Sequence, residues 1–211
     1  MRFIEIIKDK RTYYGGNQRW FTSKRNREMG CGIIAAANVI FSMELRGSTS
    51  SKLEYDEYMN LAEILARKYI FVLPKLGING IFLAMGINMY FMINHIPYSA
   101  RWGTPSTRMF EEMRRMLDEN IPVILAIGPN NPWFFGKKKL PLYIKNHDTY
   151  MCEAHTSAHY VCVTEIDDDF MTISSWGSKY YIHKNEFMMY IKKYSNCLFS
   201  NVMLIRRKNN A

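Results

Sequence analysis

The sequence predicts an α+β protein in which a helical half precedes an antiparallel β half, and three observations carry that expectation. Through about residue 120 apolar side chains recur at helical spacing, whereas beyond Asn120 they alternate or run continuously as in strands. No internal repeat and no glycine-, serine- or proline-rich linker divides the 211 residues, so one domain over 1–211 is expected, with lobes of about 1–120 and 121–211. Apolar residues at 48% against charged residues at 22% leave enough material for a buried core.

Each element follows from local pattern. Met1 to Lys8 places Glu5 inside a short apolar run and reads as a first strand or edge segment. Residues 9–30, polar, aromatic and glycine-containing, read as an ordered loop. From Cys31 to Met43 small and apolar residues lie on every face, which predicts a central, buried helix. Ser51-Lys52-Leu53-Glu54 matches a capping box, and Tyr55, Met59, Ala62, Leu65 and Tyr69 continue at helical spacing toward Pro74. A methionine-rich helix is expected near Gly80 to Asn94. Another runs from Thr107 to Asn120, with Phe110, Met113, Met116 and Leu117 on one stripe.

In the second half, Val123 to Ile127, bounded by Pro122 and Gly128-Pro129, suits a buried strand. His159 to Ile166 and Phe170 to Trp176 flank Asp167-Asp168-Asp169 and predict a hairpin with an acidic turn. Lys179 to His183 reads as a strand, Asn185 to Tyr194 as a short helix and Leu198 to Arg206 as a closing strand. A cleft between the halves is the natural place for a site. The loops Gly128 to Trp133 and Asn146 to Thr149 are expected to line it.

Several function classes are disfavoured. The longest apolar stretch, Ile81 to Ile93, is interrupted by Asn88 and too short for a transmembrane segment. The N-terminus offers no small-residue cleavage site of a secretory signal. Four cysteines are too few for a disulfide scaffold, so a reducing, cytoplasmic setting is the expectation. The net charge of +9 rests on scattered clusters at Lys24 to Arg27, Lys137 to Lys139 and Arg206 to Lys208. No nucleic-acid-binding signature accompanies them, so no specific nucleic-acid partner is expected. Cys152, His155, His159 and Cys162 have zinc-ligand types. Yet the odd spacing of His159 and Cys162 on one strand sends them to opposite faces, which argues against a closed site.

Chemistry concentrates at Cys31. A cysteine opening a buried helix faces backbone N–H groups and the positive end of the helix dipole, which favours thiolate. Gly30 and Gly32 beside it would leave room for a substrate backbone. The same residue would equally serve as a small core side chain. A thiol nucleophile needs a base, and His159, opening a strand of the β half, has the best setting of the five histidines. A turn centred on Asp168 brings Ser174 opposite about Cys162, near enough to His159 to orient its imidazole, unless it is simply a polar strand residue.

Gly30-Cys31-Gly32 heading a small-residue helix, then His159-Tyr160-Val161, then Ser174-Ser175-Trp176-Gly177 resembles the papain-like cysteine peptidases, nearest their bacterial double-glycine, bacteriocin-processing branch. The resemblance implies a helical lobe packed on an antiparallel β lobe, with the site in the cleft. Cys31 would be the nucleophile, His159 the general base and acid, and Ser174 the orienting residue, where papain has asparagine and the double-glycine branch aspartate. Gln18 would complete the oxyanion hole with the Cys31 N–H, with Asn17 and Asn26 as alternatives. No cofactor or metal enters this chemistry. The expected partner is a peptide or protein substrate, with oligomeric state left open. Amide hydrolysis leads; acyl transfer through the same pair, or a weak or inactive peptide-binding relative, follows.

Overall fold

A computed structural model describes residues 2–73, 77–130 and 137–208. The architecture is α+β, with six α-helices and two sheets among the described residues. The smaller sheet has the order β2-β1-β3, from β1 (Glu5–Lys8), β2 (Arg11–Tyr14) and β3 (Lys52–Glu54), with β1 and β3 parallel. The larger is antiparallel throughout and contains β4 (Tyr98–Trp102), β5 (Val123–Ile127), β6 (Leu140–Asn146), β7 (Thr149–Thr156), β8 (His159–Ile166), β9 (Phe170–Ser175), β10 (Ser178–His183) and β11 (Val202–Arg207). Its order is β4-β11-β5-β8-β9-β10-β6-β7.

At the centre lies α2 (Cys31–Glu44), buried continuously from Gly32 to Ser42 and packed on β8. Alanines at 35, 36 and 37 let the helix approach the sheet closely, as its all-round apolar character requires. Around it stand α1 (Lys24–Met29), α3 (Tyr55–Ile64), α4 (Gly80–Ile93), α5 (Met109–Asp118) and α6 (Lys184–Tyr194). The stripe of α5 buries Met109, Met113 and Met116 and packs against β11. The Asp167 carboxylate accepts the N–H groups of Asp169 and Phe170 at 2.8 and 2.6 Å, closing the β8–β9 turn. The predicted register holds there, with Cys162 opposite Ser174.

Several expectations give way. The Ser51–Glu54 segment does not cap a helix: Lys52–Glu54 pairs with β1, and Glu54 precedes α3 without a side-chain cap. Long-range strand pairing overrides the local signal. Residues 9–30 hold β2, a 3-10 turn at Gln18–Trp20 and α1 rather than loop alone. Asn146 to Thr149 is the turn of an edge hairpin formed by β6 and β7. The large sheet draws β4 from the first 120 residues, so it is not confined to 121–211. Asn131, Pro132 and Trp133 of the expected cleft loop lie outside the described residues.

The outer face of α4 leaves Ile81, Phe82, Met85, Met89, Met92 and Ile93 exposed. No helix among the described residues is long and apolar enough to cross a membrane.

Candidate active site

The chain breaks between α1 and α2 at Gly30, whose N–H donates to the Asn26 carbonyl and whose carbonyl accepts from Ile33 and Ile34. Cys31 is therefore the first residue of α2, half-buried, with the N–H groups of Tyr160, Gly32 and Cys31 itself directed at its sulfur. The flanking glycines answer to the protein's own packing. A side chain on Gly30 would meet the Asn26 carbonyl and the Phe21 ring, and one on Gly32 would press on Ile78 and Tyr160.

Burial works against the thiolate expectation. Burial pushes the Cys31 thiol up from its ordinary value, and the three N–H groups pull it back only in part. Burial likewise lowers His159 to about 4. At neutral pH the two groups that line the cavity are a thiol and a neutral imidazole.

His159 opens β8 next to the N-terminus of α2, and with Cys31 it lines a cavity of about 670 Å³. Leu73, Ile78, Phe82, Trp102, Leu198 and Phe199 supply much of its apolar wall. Gln18 lines it too, so the segment before Cys31 does fold back to the thiol.

The serine that meets His159 is Ser175, not Ser174. His159 Nε2 and Ser175 Oγ are 2.8 Å apart, while the Ser174 hydroxyl donates to the Tyr14 carbonyl at 2.7 Å. The reason is the pleat: Ser174 lies directly opposite Cys162, three residues from His159, and so faces the other side of the sheet. That parity was available in the sequence. The same odd spacing that separates His159 from Cys162 puts Ser174 with Cys162 and Ser175 with His159.

Trp176 stacks on the imidazole, ring centroids 4.7 Å apart and 20° from parallel. It sits with Gly177 in a two-residue turn between β9 and β10, both at positive φ, the geometry of a tight type I′ hairpin. For a tryptophan that backbone region is unfavourable, and the stacked position is what it secures.

Ser174 belongs instead to a network that fixes the loop before Gln18. Gly15, at φ +76°, leaves the Ser174 hydroxyl the space a side chain there would take, and the Gly16 N–H donates to the buried Asn38 at 2.9 Å. Asn38 Oδ1 also accepts from Tyr58 at 2.7 Å, and its Nδ2 faces the Cys162 sulfur at 3.8 Å.

Gln18 reaches the cavity with its amide engaged: Nε2 donates to the Arg27 and Glu28 carbonyls at 2.9 and 3.2 Å. Asn17 is tied to the Trp176 carbonyl at 2.8 Å, and Asn26 lies within α1. Of the cysteine–histidine array read for zinc, Cys152 stands 3.7 Å from the His155 ring, and Cys162 points at the Ala35 carbonyl at 3.4 Å. Among the described residues no cluster of three or more His, Cys, Asp or Glu is placed to hold a metal ion. No family model matches the chain, and no curated protein matches it.

Proposed function

We propose that the protein is a papain-like cysteine peptidase or amidohydrolase working in the cavity lined by Cys31 at the start of α2 and His159 at the start of β8. The observation that carries the reading is the 2.8 Å contact of His159 Nε2 with Ser175, in a cavity that His159 lines together with Cys31 at a helix N-terminus. In this reading Nε2–H donates to Ser175 and Nδ1 takes the Cys31 proton. Because burial keeps both partners neutral, the proton moves as the sulfur attacks, not beforehand. The sulfur adds to the carbonyl, and the oxyanion takes the Cys31 N–H. Gln18 joins once its amide exchanges an α1 carbonyl for the substrate. The imidazolium then protonates the leaving amine, and water, activated by the same ring, releases the acyl group. An amine in place of water would give acyl transfer.

A second reading, a weak or inactive relative that binds peptides, is favoured by one observation: both Gln18 amide protons already have partners. Turnover of a mixed peptide-amide library by wild type and Cys31→Ala separates the two. The peptidase reading expects turnover that vanishes in the variant. Peptide capture that survives Cys31→Ala, without turnover in either protein, would replace it with the binding reading.

A further inference from the structure

We infer that the turn after α2 forms a second site, for a tetrahedral oxyanion of the phosphate class, at the far end of the helix that carries Cys31. The helix has 14 residues, which puts this site about 20 Å from the thiol. The inference is independent of the peptidase reading.

The core of the site is Arg46. Its guanidinium lies over the Tyr98 ring, 5.3 Å from the centroid, and Nη1 donates to the Tyr98 hydroxyl at 3.2 Å. Those contacts fix the plane of the group and occupy one edge. Nε and Nη2, the pair of nitrogens along the other edge, are buried and have no hydrogen-bond partner among the described residues. That pair is the fork with which arginine grips two oxygens of one anion. The Ser42 hydroxyl, in the last turn of α2 and lining the same cavity as Arg46, is likewise buried and unpartnered. Buried polar groups ordinarily find partners, so three orphans together call for a ligand.

Both residues line one cavity of about 270 Å³ with Arg2, Ser48, Ser51 and Asn120. Arg2 is anchored by Nη1 to the Thr49 carbonyl at 2.6 Å and brings a second positive charge. Among the described lining residues there is no aspartate or glutamate to neutralise the two arginines. A carboxylate would fill the arginine fork but leave Ser42 unanswered. A tetrahedral oxyanion offers two oxygens to the fork, a third to Ser42, and residual charge to Arg2. Free phosphate and a phosphate monoester share that chemistry.

The test is calorimetric titration of the full chain with inorganic phosphate, phenyl phosphate and acetate at one ionic strength, with melting temperature followed in parallel. Phosphate or phenyl phosphate is expected to bind and raise the melting temperature, the tighter of the two identifying free ion or monoester as the source. Arg46→Lys, which keeps the charge but loses the fork, should weaken binding roughly tenfold or more. Arg2→Ala alters only an exposed side chain and should also weaken it, which keeps the test decisive should the Arg46 variant fail to fold. No binding of either phosphate compound, acetate as tight as both, or affinity unchanged in both arginine variants would overturn the assignment.

Discussion

Ser175 sits diagonally from His159 across the β8–β9 ladder, hydroxyl to Nε2 at 2.8 Å, while its neighbour Ser174 faces the opposite side of the sheet toward Tyr14. Two adjacent serines thus have separate work. A hydrogen bond to a group that becomes charged contributes about 1.5–3 kcal/mol. Ser175→Ala should therefore lower kcat/KM roughly ten- to hundredfold. Ser174→Ala should reduce stability by about 1 kcal/mol while changing turnover far less. Steady-state kinetics and urea unfolding of the two variants check this; equal kinetic losses would refute the division of labour.

Gln18 is predicted to act in the transition state despite its resting bonds to Arg27 and Glu28. Loss of one oxyanion donor lowers kcat by about 10²–10³. Gln18→Ala should show that loss in kcat with KM little changed. An unaffected kcat would reduce Gln18 to a tie between the 3-10 turn and α1.

Burial of His159 has a consequence for stability. The unfolded chain takes up its proton near pH 6.5, the folded chain only near pH 4. Between those values the unfolded state binds more protons, so stability falls as the pH is lowered through that window and is regained above it. The full displacement corresponds to roughly 3 kcal/mol. Urea unfolding from pH 7 to 4 should show the decline in wild type, and His159→Gln should flatten it. A wild-type curve with no slope there would contradict a buried neutral imidazole.

Much of this molecule was legible in its residues, and the failures have physical causes. The helices α2, α4, α5 and α6 and the β8–β9 hairpin follow from local period, and the acidic turn fixed the register that sets Cys162 against Ser174. The β6–β7 hairpin escaped because it lies at the sheet edge, where most of β7 is exposed and carries no apolar alternation. Lys52–Glu54 escaped because its strand character comes from β1, far away in sequence. At the site, Cys31, His159 and Gln18 do line one cavity, whereas Ser174, placed near His159 by the hairpin register and by the motif, faces the other side by the parity of its own strand. The protonation of the pair was beyond sequence, since burial opposes the helix N-terminus at Cys31 and depends on the packing around both groups.

The coupling of Cys31 to His159 is the central claim, and the rate of Cys31 alkylation by iodoacetamide as a function of pH tests it most directly. Wild type should show a plateau across neutral pH, where His159 is free to accept the thiol proton. At pH 7 its rate should exceed that of His159→Ala by about 10²-fold or more, with Ser175→Ala between them. Superimposable profiles for wild type and His159→Ala, each rising only as a free thiol ionises, would contradict it.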